Sequence, residues 1–457
     1  MIKKLLLLIT TVVIALYMAA PTFLGFSLLN LGHAVNVATS MSAKLACSAR
    51  FISGFEHKQI VEDLASYSPA TKLVKLQYNN SPKSVTASLF GLATTTAKYR
   101  NGLGCSLEIG DTSNLDKVSV TANYMLEKSS ANNDNTDNFI AINSEIQKAL
   151  DKLINQDNQQ GLNTRAMLVV KNGQVIAETY GDHITPQTPL LGWSMAKSVT
   201  AILIGRMQYL DLAEMSQTQL FSTWQNDQRN DLSLTHLLQM SSGLVFDETY
   251  APGSDATHML FTATSASDVA LASPFSKVPG SHFSYSSGTT NILSRFIHQQ
   301  LGNSTQADIK FIQQELFQPL SMEHSIFEVD SSGVLVGSSY LYASGRDWSK
   351  LGLLMVNKGR FNQQQLLSPE WVNAASTPND SDNDKRYGFQ FWLNRGEEVL
   401  RWPLLPEDAY AMLGNRKQSV MIIPSENTVL VRVGWTKGEY PMEQNYHQLL
   451  KLLKNTK

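Results

Sequence analysis

The pattern of apolar and polar positions divides the chain into stretches of different period. Met1-Ile2-Lys3-Lys4 is followed by an uncharged apolar run from Leu5 to Phe26, long enough to cross a bilayer as a helix despite Pro21. Shorter patterns come next: a helical one around Ile60 to Tyr67, alternating strands at Leu73 to Tyr78 and Ser84 to Phe90, and a strand leading to Cys105. Together they predict a small α+β module over residues 44–110. Ser129 to Asp137 is polar and has no apolar period, so residues 111–138 read as a linker.

Residues 139–457 follow a different plan. A helical pattern runs from Phe139 to Ile154. A hairpin comes after it, with strands Ala166 to Val170 and Gln174 to Tyr180 joined by Lys171-Asn172-Gly173, where Asn-Gly supplies the positive φ of a tight turn. A helix opening at Ser194 leads into a mostly helical and loop stretch that lasts to about Lys358. Strands return at Val420 to Ile423 and Thr428 to Gly434, and Glu443 to Leu453 has the period of an amphipathic helix. The order predicts an α/β (α+β) fold: an antiparallel sheet built from both ends of the domain, flanking helices, and an inserted mostly helical domain. A cleft between the two parts is where a site belongs.

Composition narrows the picture. With 457 residues, 43% hydrophobic and 17% charged, the chain can bury a large core. A net charge of -2 and the absence of a basic cluster argue against a nucleic-acid partner. The apolar run behind Lys3 and Lys4 predicts export. Residues 1–34 are expected to be a signal anchor that makes the membrane a partner, with a cleaved signal peptide ending near Gly32-His33-Ala34 as the alternative. The expected location is periplasmic or otherwise extracytoplasmic. Cys47 and Cys105 are the only cysteines, and in an exported chain such a pair predicts one disulfide, two buried thiols being the other reading. Lys44 stands where a lipidation signal at Cys47 needs an apolar residue.

Candidate chemistry centres on Gly192 to Met207, which holds the chain's one S-x-x-K match, Ser194 and Lys197. If a helix begins at Ser194, this spacing puts hydroxyl and amine on one face, a turn apart. Val199, Ile202, Leu203 and Met207 then bury the helix. A lysine whose pKa falls on burial can act as base toward a serine nucleophile. The bland alternative is a serine cap on an ordinary core helix. A phenol could carry protons onward, and four tyrosines open a Tyr-x-Ser or Tyr-x-Asn triplet: Tyr78, Tyr99, Tyr285 and Tyr342. Tyr285 lies in the turn-rich segment from Pro279 to Gly288, which suits presentation of a reactive side chain. The nine histidines include no H-E-x-x-H, His236 reads as a helix or core residue, and no G-x-S-x-G surrounds Ser194. No metal and no cofactor is implied.

At this point the chain resembles the β-lactamase-related serine hydrolases: class C β-lactamases, D-alanyl-D-alanine peptidases, family VIII esterases and 6-aminohexanoate-dimer hydrolases. The resemblance rests on five ordered blocks, Trp193 to Ser198, Leu234 to Leu244, Pro279-Gly280 with Tyr285-Ser286-Ser287, Leu316 to Met322, and Ser344 to Trp348. The small cysteine-bearing module is similar to one found beside some members nearest the 6-aminohexanoate-dimer hydrolases. The likeness implies Ser194 as acylated nucleophile, Lys197 as base and Tyr285 as proton relay, with Ser287 where relatives have Asn or Ser. The third family motif falls on Gly414-Asn415-Arg416-Lys417-Gln418, and there the chain departs: relatives have Gly at the place of Lys417. The likeness implies an oxyanion hole from the amides of Ser194 and Gln418, and substrate contacts from Asn415 and Lys417, the latter or Arg416 toward a carboxylate. The expected partner is a small-molecule amide or ester. A D-Ala carboxypeptidase or weak β-lactamase, and a non-catalytic binding or sensor protein, are the other readings.

Overall fold

The computed structural model describes residues 27–120, 139–396 and 398–455. The apolar run 5–26 lies outside them, as does the linker candidate Ser129 to Asp137. Among the described residues no helix is long and apolar enough to cross a membrane, so the expected transmembrane anchor and membrane partner are corrected. The first long helix, α1 (Leu31–Phe51), has the length of a span but not its composition. It carries Asn36, Lys44 and Arg50, and it buries Thr39, Ser42, Lys44 and Ser48 against protein.

α1 packs across a four-stranded antiparallel sheet of order β1-β2-β3-β4: β1 (Lys75–Asn80), β2 (Lys83–Leu89), β3 (Ala93–Arg100) and β4 (Gly104–Leu107). α2 (His57–Ala65) sits beside it. Ala43, Ala46, Ile60, Val85, Ala87 and Ala97 form the shared core, and a disulfide joins Cys47 of α1 to Cys105 of β4. That core continues into Leu191, Trp193, Tyr340 and Trp435, so the small module is fused to the larger region by apolar contact. Polar ties reinforce the seam. Lys44 forms a fully buried ion pair with Glu328, whose other oxygen accepts from Ser48 Oγ at 2.7 Å and from the Cys105 amide at 2.6 Å. Arg165 reaches Asp63 of α2 at 2.5 Å.

The larger region opens with α3 (Ser144–Gln159). Asn143 caps it, accepting from the amides of Glu145 and Ile146 at 3.0 and 3.1 Å. The helix therefore starts after the expected Phe139, and Ile140 bridges to Val175 instead. β5 (Thr164–Lys171) and β6 (Gln174–Tyr180) make the hairpin, with Asn172 and Gly173 at φ 51° and 83°, the sign the tight turn requires. β7 (Leu190–Leu191) leads into α4 (Met195–Tyr209). The mostly helical part follows, with α5 (Leu234–Leu238), α6 (Asp255–Phe261), α7 (Ala266–Leu271), α8 (Ser287–Gln300) and α9 (Thr305–Ile312). β8 (Ser325–Phe327) and β9 (Leu341–Ala343) join β7 in a small sheet of order β7-β9-β8.

The chain then returns to the main sheet through α10 (Gly345–Val356), a hairpin of β10 (Arg360–Phe361) and β11 (Gln364–Gln365), and α11 (Pro369–Ala375). β12 (Trp392–Leu393), β13 (Tyr410–Gly414), β14 (Gln418–Ile423) and β15 (Thr428–Gly434) complete six antiparallel strands in the order β12-β13-β14-β15-β5-β6, and α12 (Met442–Asn455) closes the fold. Both chain ends of the region thus supply the sheet, as the periodicity predicted. Met167 and Val169 of β5 pack with Ile146, Leu150, Tyr446 and Leu449 of α3 and α12, while Leu168 and Val170 belong to the core on the other face, where α10 packs on β5. Being covered on both faces, β14 and β15 are buried at every residue, which explains the apolar runs Val420 to Ile423 and Val429 to Val431.

Candidate active site

The site begins with a backbone irregularity. Trp193 adopts φ 48°, in the left-handed region, and this turn delivers Ser194 to the N-cap of α4. A capping serine normally bonds its own helix amides, but the Ser194 side chain makes no such bond. Its hydroxyl is left to Lys197, whose Nζ lies 3.1 Å away. α4 is buried on all sides from Met195 to Met207, so Lys197 is only 1% exposed. Burial lowers its pKa to about 8, against an opposing attraction from Glu248.

Nζ of Lys197 has three partners. Besides Ser194 Oγ they are Ser287 Oγ at 2.9 Å and the Ser338 carbonyl at 3.0 Å. Ser287 is the first residue of α8, and its hydroxyl and amide both donate to Glu248, at 2.6 and 2.7 Å. Asn291, one turn further along α8, holds the Ser338 segment by accepting from its amide at 3.3 Å and donating to its hydroxyl at 3.1 Å. Tyr285 precedes α8. It lines the same cleft as Ser194, and its ring lies 5.0 Å from Lys197 Nζ and stacks on Trp392 at 5.3 Å. Burial and the neighbouring Tyr250 and Glu248 push the phenol well above its usual pKa, so it is a neutral acid at physiological pH.

Of the four candidate tyrosines only Tyr285 meets Ser194. Tyr342 is buried in β9 among residues shared with the small module, Tyr78 bonds His57 at 3.1 Å, and Tyr99 packs on Phe51. His236 caps α5, its Nδ1 accepting from the Ser233 amide at 3.2 Å.

β13 and β14 form the opposite wall. Gly414 passes so close to Gly192 that a Cβ there would stand 2.1 Å from the Gly192 carbonyl oxygen, which brings the turn 415–417 beside Ser194. Asn415, Lys417 and Gln418 line the resulting cleft of ≈ 650 Å³ together with Ser194, Tyr285 and Trp392. The Gln418 side chain is locked to Gly434, donating to its carbonyl and accepting from its amide, both at 2.6 Å. Lys417 has φ 62°, a conformation that suits the glycine of relatives, and its amine pairs with Glu439 at 3.0 Å. Arg416 lies over the Tyr67 ring at 3.7 Å, at the seam with the small module.

Sequence reading had not found Glu248, the Ser338 carbonyl, Tyr250, Trp392 or Arg401. The first lies just beyond the Leu234 to Leu244 block, in Phe246-Asp247-Glu248-Thr249-Tyr250, and Ser338 opens the segment that holds the candidate Tyr342.

A two-part architecture, with a both-ends sheet against a helical part and a Ser-x-x-Lys helix in the cleft, defines a protein of the β-lactamase and penicillin-binding-protein fold. The chain belongs to the Beta-lactamase family, whose model matches residues 150–453, and it is thereby a hydrolase of the serine amidase and esterase kind. No curated protein matches it by sequence. Among solved structures it is similar to a Bacillus anthracis protein provisionally described as a 6-aminohexanoate-dimer hydrolase, with 20% identity and a TM-score of 0.55 over 65% of this chain and 80% of that one. It is also similar to EstCE1, a hydrolase with promiscuous acyltransferase activity (14% identity, TM-score 0.57, 67% and 97%), and to a family VIII carboxylesterase (11%, 0.54, 68% and 98%). At these identities the likeness is one of fold.

Proposed function

We propose that this chain cleaves a small amide or ester by acyl transfer through Ser194, with Lys197 as base and Tyr285 as proton relay. The hydrogen-bond accounting at Lys197 Nζ carries the reading. The Ser338 carbonyl can only accept, so it takes one N–H. Ser287 has given its own proton to Glu248, so it takes a second. In a neutral lysine the remaining direction is the lone pair, and it points at Ser194 Oγ. The network thus orients the base toward the nucleophile's proton.

Ser194 Oγ attacks the carbonyl carbon as its proton passes to Lys197, and the amides of Ser194 and Gln418 receive the oxyanion. The Tyr285 phenol protonates the leaving nitrogen or oxygen and regains a proton from Lys197. Water then attacks the acyl-enzyme by the reverse relay, freeing the acid and restoring Ser194. Exposing the full chain to a fluorophosphonate and measuring intact mass tests this: a single adduct is expected, absent in Ser194→Ala. An unmodified wild-type protein refutes it.

We also propose that the domain works in an oxidising, extracytoplasmic compartment, a reading supported by the buried Cys47 to Cys105 bond that ties α1 to β4. Alkylation in intact cells followed by mass spectrometry should find both thiols blocked from reaction.

A further inference from the structure

Most charges lining the cleft are already engaged. Glu248 holds Ser287, Glu439 pairs with Lys417 at 3.0 Å, and Glu443 accepts from the Leu404 amide at 2.6 Å. Arg401 is different. Among the described residues its guanidinium has no hydrogen-bond or ion-pair partner, only ring faces: Trp392 at 4.2 Å and Trp402 at 5.5 Å. The nearby carboxylate of Asp384 is itself occupied by Arg386, at 2.8 Å. A half-buried guanidinium resting on two indole rings is already partly ordered and loses less freedom when an anion arrives. Burial and the neighbouring Arg386 hold its pKa down at about 10, against an opposing attraction from Asp384.

Its position relative to the chemistry is set by stacking. Trp392 contacts both the Arg401 guanidinium, at 4.2 Å, and the Tyr285 ring, at 5.3 Å. One indole thus links the guanidinium to the phenol that delivers the proton to the leaving group. We infer that Arg401 forms an anion subsite of the cleft, selecting amides or esters whose leaving group carries a carboxylate, held by the guanidinium while Trp392 supports the intervening apolar part. The inference rests on the acyl-transfer reading for the word leaving group, but not for the binding itself.

Two measurements separate the two. In calorimetric titration of the full chain, 3-hydroxybenzoate should bind saturably and phenol should not. Affinity should fall tenfold or more in Arg401→Met and less in Arg401→Lys, and rising salt should weaken it. Thermal midpoints identify any variant that has lost its fold, and the lysine variant then stands in. With 3-acetoxybenzoate and phenyl acetate as paired esters, Arg401→Met should lower the ratio of their kcat/KM values tenfold. Equal affinity of wild type and Arg401→Met for 3-hydroxybenzoate overturns the subsite. If the wild type cleaves neither ester, the acyl-transfer reading fails while the titration still decides the subsite.

Discussion

Tyr67 of the small N-terminal module meets Trp193, the residue before Ser194, edge to face with ring centroids 6.0 Å apart. The same tyrosine packs on Trp435 at 5.7 Å and carries Arg416 on its face, so one side chain braces both the turn that presents Ser194 and the 415–417 turn across the cleft. Trp193 holds a left-handed backbone that costs a non-glycine residue about 1–2 kcal/mol and persists because its surroundings fix it. Tyr67→Ala is expected to cost about 3 kcal/mol of stability, measured by urea unfolding, and to lower kcat more than it raises KM. Tyr67→Phe, which keeps the ring, should restore most of the rate. A purely structural prop would leave kcat of the folded fraction unchanged.

In the proposed mechanism Ser194 and Lys197 share a proton, so their loss should not add. Ser194→Ala and Lys197→Ala should each remove most turnover, and the double variant should be little worse than either. Tyr285→Phe is expected to lower kcat by about a hundredfold or more, the usual scale for a general acid-base group. Additive losses in the Ser194 and Lys197 pair would contradict a single proton-transfer unit.

The pH profile follows from the lysine. Only neutral Lys197 can accept a proton, so kcat/KM should rise as pH increases through about 8, the value to which burial lowers it. Glu248 opposes that lowering, so Glu248→Gln, which can still accept from Ser287, should move this limb to lower pH. An unmoved or raised limb in the variant would show that the carboxylate does not act on the lysine.

At the seam, Lys44 and Glu328 form a fully buried ion pair. Burial lowers the lysine pKa and raises that of the carboxyl, while each partner's charge resists the change. Glu328→Leu alone leaves a buried cation and should cost about 3–5 kcal/mol. Adding Lys44→Met should recover much of that loss in equilibrium unfolding.

Lys417→Gly replaces a side chain at φ 62° with the residue that this conformation prefers, and it removes the Lys417 to Glu439 pair at the cleft rim. The exposed pair is worth little, so a net gain of about 1 kcal/mol in stability is expected. Acylation of Ser194 by penicillins, followed by intact mass, should become faster as the rim opens.

The apolar periods of the chain carried the sheet built from both ends, the hairpin with its Asn-Gly turn and the helix behind Ser194, because each depends on neighbours in sequence. The Ser194 and Lys197 pairing is legible for the same reason: one helical turn fixes it. The start of α3 was misplaced by a local competitor, the Asn143 cap. The apolar run 5–26 lies outside the described residues, and the sequence did not reveal that α1 after it is a polar-bearing helix folded onto a sheet. What only the tertiary structure decided are the contacts made across long loops. Glu248 reaches Ser287, the Ser338 carbonyl reaches Lys197, and Arg401 rests on the rings of Trp392 and Trp402. No spacing rule encodes such contacts, because loop residues meet through the packing of the elements they connect, and a side chain's charge state follows from the burial that packing creates.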